Sequence, residues 1–277
     1  MSFAFPGEMS LDYFPCRYGR SKLLFRGPRR DLAAPYVAVL GGGETYGKFV
    51  AEPWPALLQQ ALGVPVVNLG AVNAGPDAWA GDGAIPEIAA QARVTLVQVT
   101  GAQNLTNRFY SVHPRRNDRF LRASPLLASI YREIDFTEFT FTRHMMQSLY
   151  RASPEKFAIV AEELRAAWLA RMIALLPRLG ARVVLVWMAG QGPDAARPVP
   201  EDEPMLVTRA MLDALVQRGA GLVQVVYSDR AQTQGVAGMV YPAMAEAAAR
   251  AMPGPMQHAE VAAAVEPVLA GLLGLGG

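Results

Sequence analysis

The stretch Tyr36-Val-Ala-Val-Leu40 is a short apolar run that ends directly in three glycines, Gly41-Gly42-Gly43. A strand that runs into a glycine-rich turn is typical of the first βα unit of a parallel sheet. The amphipathic stretch 54–62 predicts the next helix, and Gly63 suits its left-handed end. We therefore expect an α/β fold that begins at residue 36.

The same alternation continues along the chain. Apolar runs predict further strands over 64–68, 93–100, 183–188 and 222–226, and helical patterns lie over 84–92, 204–218 and 258–273. Such alternation gives a parallel sheet with helices on both faces, because parallel crossovers are right-handed. We predict a three-layer sandwich with a five-stranded parallel sheet.

One predicted helix is better defined than the others. Ser153 is a good N-cap and Pro154 suits the first helical position. Seven apolar residues then recur on one face at helical spacing: Phe157, Val160, Ala161, Leu164, Trp168, Met172 and Leu175. This pattern indicates an amphipathic helix that ends near Gly180.

Length and composition favour one domain over residues 1–277, with an N-terminal basic segment (1–35) and an insert or lid at about 105–150. The N-terminus does not resemble a secretory signal, and no apolar run reaches a membrane-spanning length. We therefore expect a cytoplasmic protein. The lone Cys16 excludes an internal disulfide, and the three histidines show no ligand spacing, so we predict neither metal nor cofactor.

The positive charge of the chain is almost entirely arginine, in two clusters near residues 17–30 and 108–122. The guanidinium fork suits carboxylate, phosphate or sulfate. With a net charge of +2, nucleic acid is an unlikely partner. Two interpretations stay open for Arg108, His113, Arg115 and Arg116: an anion-recognition lid or a solvated loop. Lys48 follows a P-loop-like spacing, but Phe49 replaces the magnesium-binding hydroxyl.

Ligands of open parallel sheets bind beyond the carboxyl ends of the strands. Four segments are predicted to lie there: 41–48, 68–77, 101–117 and 190–197. The segment around His258 could reach the same edge. We therefore look for candidate site residues in these segments.

Four short blocks resemble the motifs of the SGNH/GDSL hydrolases, in the same order along the chain. They are Gly41-Gly42-Gly43-Glu44-Thr45-Tyr46-Gly47, Asn68-Leu69-Gly70, Gly101-Ala102-Gln103-Asn104 and Pro255-Met256-Gln257-His258. The chain also resembles an uncharacterised proteobacterial family with an SGNH-like core. The resemblance implies that Gly43, Gly70, Gln103 and Asn104 surround the oxyanion or the substrate, and that His258 is the base.

Two registers place the nucleophile differently. If Thr45-x-Gly47 fixes the alignment, Gly43 occupies the nucleophile position and has no side chain. If the alignment shifts by two residues, Thr45 becomes the candidate. Pro255 replaces the aspartate that normally orients the histidine, so Glu44 or Glu260 would have to substitute for it.

The resemblance implies an SGNH-like sheet with flavodoxin-like strand order, and esterase or acyltransferase chemistry on a carbohydrate-linked ester if the protein is active. The arginine clusters predict that this substrate is anionic. The alternative is a non-catalytic binding protein on the same scaffold. Purely structural roles also stay open for these residues, since His258 could anchor a helix and Thr45 could cap one. The expected partner is a small anionic or carbohydrate molecule, and an oligomer is possible.

Overall fold

A computed structural model describes residues 11–195, 199–200 and 202–275. Its seven strands are β1 (Val37–Gly41), β2 (Val66–Gly70), β3 (Val94–Gln98), β4 (Tyr110–His113), β5 (Arg116–Ala123), β6 (Val183–Ala189) and β7 (Gly221–Val226). Five of them form one parallel sheet in the order β2-β1-β3-β6-β7. The predicted α/β class and flavodoxin-like order are therefore confirmed.

The helices lie between and after the strands. They are α1 (Gly43–Tyr46), α2 (Trp54–Leu62), α3 (Pro76–Gly81), α4 (Ile85–Gln91), α5 (Pro125–Ile130), α6 (Thr142–Ala152), α7 (Pro154–Leu175), α8 (Arg209–Val216), α9 (Asp229–Thr233), α10 (Glu246–Arg250) and α11 (Pro255–Leu273). None of them combines the length and apolar character that crossing a membrane requires, within the part of the chain that is described.

Each face of the sheet carries its own apolar cluster. Alternate side chains of one strand point to opposite faces, so Val37 and Val39 of β1 pack on one side and Ala38 and Leu40 on the other. The first side is covered by α2 and α11, and the second by α3, α4, α7 and α8. Helices on both faces explain why the central strands are mostly apolar.

Helix α7 follows its sequence pattern closely. The Ser153 hydroxyl accepts the Lys156 backbone N–H, which caps the helix, and Pro154 is its first residue. All seven apolar residues predicted on one face are buried. The Trp168 indole N–H donates to the Thr100 carbonyl oxygen at 3.0 Å, which ties α7 to the end of β3.

Two predicted helix bounds need correction. Helix α8 begins at Arg209 rather than at 204, because the preceding residues form a buried loop in which Ala102 N–H donates to the Met205 carbonyl. Leu206 in this loop has a positive φ of 64°, which no helix allows. Helix α11 begins at Pro255, three residues before the predicted start.

The residues 105–150 contain regular structure of their own. Strands β4 and β5 form an antiparallel hairpin, and α5 and α6 follow it. Tyr110 and Phe120 from the hairpin bury their rings against each other. The hairpin therefore packs as part of the second apolar cluster.

The described part of the N-terminal basic segment packs on the second apolar cluster, to which it contributes Tyr18, Leu23 and Phe25. Cys16 and Phe25 pair in an isolated bridge, and the Arg26 side chain turns inward. Its guanidinium donates to the carbonyl oxygens of Tyr46, Gly47 and Ala51 at 3.3, 2.6 and 2.7 Å. Arg26 therefore fixes the chain after α1 and is not available to an external anion.

Candidate functional site

A cavity of about 740 Å³ opens at the carboxyl ends of the parallel strands, and we call it the edge cavity. Its lining is rich in polar side chains, contributed by Glu44, Asn73, Gln98, Thr100, Asn104, Asp118, Arg143, Gln191, Asp202, Glu203, Tyr227, Gln232 and Arg250. The volume lies within the range of small-molecule sites, and the position agrees with the rule for open parallel sheets. This is the candidate functional site.

Gln98, the last residue of β3, organises the floor of the edge cavity. Its side-chain oxygen accepts from Gly42 N–H at 2.9 Å and from the Thr45 hydroxyl at 2.7 Å. Its amide group donates to Glu44 Oε2 at 3.0 Å. A Cβ at Gly41 would lie 2.1 Å from Thr45 Oγ1. Only glycine at this position therefore leaves room for the Thr45 side chain to reach Gln98.

Gly43 lies in the cavity wall at the first position of α1. Its φ is not in the left-handed region, and a Cβ there would meet only the Met252 side chain, at 3.4 and 3.5 Å. Neither positive φ nor a close backbone therefore requires glycine at this position. The missing side chain leaves the wall open next to Met252.

Glu44, Glu203 and Tyr227 face the edge cavity from three different elements. Glu203 accepts from the Gln103 amide and from Met205 N–H, each at 2.9 Å, and lies 3.6 Å from an Arg143 nitrogen. Burial raises the pKa of Glu203, and the charge of Glu44 acts in the same direction. Burial and then the Glu44 charge also raise the pKa of Tyr227. Burial is the larger cause of both shifts, and the Glu44 charge adds to it.

The insert contributes two further charged residues to the lining, Asp118 from β5 and Arg143 from α6. Burial raises the pKa of Asp118, although nearby arginines, Arg116 first, oppose the shift. Asp118 Oδ1 is buried and has no hydrogen-bond partner in the described part of the chain. Residues 105–150 therefore border the cavity through one acidic and one basic side chain, neither of which was predicted from the sequence.

The predicted catalytic pair Thr45 and His258 does not meet in the edge cavity. Thr45 is fully buried, and its hydroxyl donates to Gln98. His258 is fully buried in α11, where its Nδ1 accepts the Trp54 backbone N–H at 3.2 Å. Burial, reinforced by the charge of Arg26, lowers the pKa of His258 to about 3. The contacts are those of packed core groups and do not favour a nucleophile and its base.

The carboxylates considered as partners of His258 also lie elsewhere. Glu44 bonds Gln98, and Glu260 accepts from the Ser228 backbone N–H at 3.0 Å. Pro255 begins α11. His258 is thus an anchor between α11 and the start of α2, the structural role left open for it.

Among the residues predicted around an oxyanion, Gly43 and Asn104 line the edge cavity, and Gly70 and Gln103 do not. A Cβ at Gly70 would lie 2.5 Å from the Tyr46 backbone nitrogen, so this glycine allows α1 to pack on β2. Gln103 is buried behind the wall and holds Glu203. Their contacts support the site from outside it.

The residues of the predicted anion lid also lie outside the lining. Arg108 pairs with Glu163 at 2.8 Å, and Lys48 stands over the Phe49 ring. Arg115 and Arg116 are exposed on the hairpin, and His113 Nδ1 accepts the Arg115 backbone N–H. The last residues of the predicted segment 190–197 lie outside the described residues. The lid therefore stays a prediction that these contacts do not support.

Most of the polar residues that line the edge cavity were not predicted from the sequence. Gln98 could have been noticed as a polar residue in the otherwise apolar β3, at its carboxyl end. Tyr227 directly follows β7 at the same edge. No local sequence signal pointed to Glu203, Arg250 or Met252, because segments that are far apart in the chain bring them to the cavity.

The acidic residues of the lining do not form a metal centre. Across the described residues, no group of three or more histidine, cysteine, aspartate or glutamate side chains is arranged to hold a metal ion. The arrangement can donate and accept hydrogen bonds and can attract a positive charge. It presents no serine at the position where the resembling hydrolases carry one.

No curated protein is detectably similar to this chain in sequence. Similar solved structures include a lipase, Lip_vut3, from a goat rumen metagenome (TM-score 0.45, 11% identity, 84% of this chain and 97% of that chain). A second is a carbohydrate esterase family 2 enzyme with a carbohydrate-binding domain from Corynascus thermopiles (TM-score 0.43, 12% identity, 90% of this chain and 69% of that chain). A third is a lipase/acylhydrolase from Enterococcus faecalis (TM-score 0.41, 14% identity, 85% of this chain and 96% of that chain). A family model matches residues 1–273. The chain belongs to that family, which is described as Domain of unknown function (DUF6473).

Proposed function

We propose that this protein binds a polar small molecule in the edge cavity and does not carry out serine-type ester hydrolysis. The observation that carries the proposal is Gly43, which places no side chain in a cavity whose lining also holds acids, amides and arginines among its apolar residues. Polar groups that converge in a concave site fix the orientation of a ligand through hydrogen bonds. The only histidine that the resemblance offers as a base is packed in the core.

Filling the cavity should abolish binding. We expect Gly43→Leu to fold, because among the described residues outside its own helical turn the new Cβ meets only the flexible Met252 side chain within 4 Å. Its larger side chain would extend into the space that a ligand needs. The measurement is a thermal-shift screen of sugars, amino acids, polyamines and nucleosides on the wild type, repeated with any stabilising compound on Gly43→Leu. A ligand that binds only the native state raises its melting temperature.

Gly81→Leu is the matched control, since Gly81 is exposed at the end of α3 and a Cβ there meets nothing within 4 Å. It should keep the ligand-induced shift of the wild type. Equal shifts for wild type and Gly43→Leu would place the ligand outside the edge cavity and overturn the proposal.

Ester hydrolysis or acyl transfer is the second candidate function. It is favoured by one specific observation, that Gly43 and Asn104 from two of the four resembling blocks both line the edge cavity. The carbohydrate-linked ester implied by the resemblance, anionic if the arginine clusters bind it, would be its substrate. A nucleophile and a base would then have to come from the ligand or from groups other than Thr45 and His258.

Gly43→Ser separates the two candidates. We expect it to fold with nearly wild-type stability, because the new Cβ makes ordinary contacts with Met252 and the backbone angle suits any residue. We also expect neither this variant nor the wild type to cleave para-nitrophenyl acetate above background, since His258 is buried in the core and does not line the edge cavity. Release of para-nitrophenol by Gly43→Ser, lost again in Gly43→Ser with His258→Gln, would instead support a vacant esterase site.

A further inference from the structure

We propose that the ligand of the edge cavity carries a positive charge on an ammonium group, and that Glu44 binds it. This inference rests on the proposed function, because it names the chemical class of the molecule held there. It replaces the expectation of an anionic ligand, which came from arginines that do not line the cavity. The observations that carry it are the charge balance of the lining and the unsatisfied oxygens in its wall.

Among the described residues, the lining holds more negative than positive groups. Glu44, Asp118 and Glu203 bring carboxylates to the cavity besides Asp202, which is itself engaged by another group, and of the described residues only Arg143 and Arg250 bring guanidinium groups. Both guanidinium groups already have carboxylate partners. Arg143 lies 3.6 Å from Glu203, and Arg250 bonds Glu246 at 2.6 Å, one turn earlier in α10. Each guanidinium group of the described lining is therefore already paired with a carboxylate, so the pairing does not favour an anionic ligand.

Glu44 is the carboxylate best placed to meet a cation. It is half-buried, and the polar contact that holds it is the neutral amide of Gln98, so its charge is oriented but not neutralised. The Glu44 carboxylate lies across Gly42, where a Cβ would come within 2.8 Å of Oε2. The glycine turn and Gln98 together position this charge at the floor of the cavity.

Two further oxygens in the wall lack hydrogen bonds. Thr100 is about nine-tenths buried and its Oγ1 has no partner in the described part of the chain, and the same holds for Asp118 Oδ1. Buried polar atoms in native proteins are normally satisfied. An ammonium group brings three donors and no acceptor, so it can donate both to the Asp118 carboxylate and to the Thr100 hydroxyl oxygen. The Thr100 hydroxyl can also donate, so Asp118 Oδ1 is the atom that favours a donor over an acceptor. A carboxylate or sulfate would add acceptors and a repelled charge.

The test uses probes that are matched in size and differ in charge: glucosamine with glucose and glucuronate, and putrescine with its diol counterpart. Binding to the full chain is measured by thermal shift and by calorimetry. We expect a stabilising shift with at least one amine, a much smaller shift with its neutral partner, and none with glucuronate. The shift should vanish in Gly43→Leu.

Glu44→Gln identifies the group responsible. Glutamine keeps an oxygen that can accept from the Gln98 amide, so the turn should fold as before while the charge is lost. We expect the affinity for the amine to fall about tenfold or more, as for the loss of one charge-assisted hydrogen bond. Glu52→Gln, an exposed residue that bonds Gln60 away from the cavity, should bind the amine like the wild type.

The outcomes separate the two proposals. If neutral or acidic probes bind as well as amines and lose binding in Gly43→Leu, the cavity is a ligand site but the cation inference is overturned. Equal amine affinity in Glu44→Gln and wild type also overturns it. If no probe of any charge binds in the edge cavity, the inference and its parent proposal both fail.

Discussion

Replacing Arg26 by methionine should lower the free energy of unfolding by roughly 3–5 kcal/mol, because three backbone carbonyls lose a charged donor in a buried place. These carbonyls belong to Tyr46, Gly47 and Ala51, which follow or end α1. Burial lowers the pKa of Arg26 below its ordinary value, but a guanidinium stays charged at neutral pH. Methionine keeps most of the apolar stem, so the loss reports the hydrogen bonds.

Urea unfolding of the purified variant measures this loss. Arg20→Met is the matched control, since Arg20 is exposed and pairs with the exposed Glu87. It should change stability by no more than about 1 kcal/mol. If Arg26→Met were as stable as Arg20→Met, the guanidinium would not hold the loop, and the basic segment could again be considered for anion binding.

The second large effect concerns acid. His258 has a folded-state pKa of about 3, against an ordinary value of 6.5, because burial disfavours the imidazolium and Arg26 repels it. Between these pH values the unfolded chain binds the proton and the folded chain does not. The stability that depends on neutral His258 is therefore complete above pH 6.5 and is lost as the pH falls toward 3.

One such site changes the free energy of unfolding by about 1.4 kcal/mol per pH unit, so roughly 2–3 kcal/mol should be lost by about pH 4.5. His258→Gln removes this proton-binding site, and its amide oxygen can still accept the Trp54 N–H. Its stability should fall less steeply with acid than that of the wild type, by the slope of one proton. Urea melts at several pH values measure the difference.

His144→Gln is the control for this effect, because it removes an exposed imidazole that stacks edge-on against Phe139. It should keep the wild-type slope. A wild-type slope in His258→Gln would mean that His258 is protonated in the folded protein. The possibility that this histidine exchanges protons with a ligand would then have to be considered again.

The five strands of the sheet and most of the helices that cover it could be predicted from the sequence, although α3 was not. Residues 36–43 predict the first strand and its turn, and the serine cap, proline and apolar face predict α7, because these signals are local. The strand order was implied by the family resemblance, since right-handed crossovers alone leave several arrangements open. The bounds of α8 could not be predicted, because the loop before it is fixed by a hydrogen bond from Ala102, in the loop after β3, to Met205.

Which side chains share the edge cavity was decided only by the tertiary structure. Resemblance of short motifs selected Gly43, Glu44 and Asn104, which do line it, and also Thr45 and His258, which are packed in the core. A motif fixes the order of residues along the chain but not the direction in which a side chain points. Glu203 and Tyr227 come from separate loops, and their proximity to Glu44 exists only because β1, β3, β6 and β7 end at one edge.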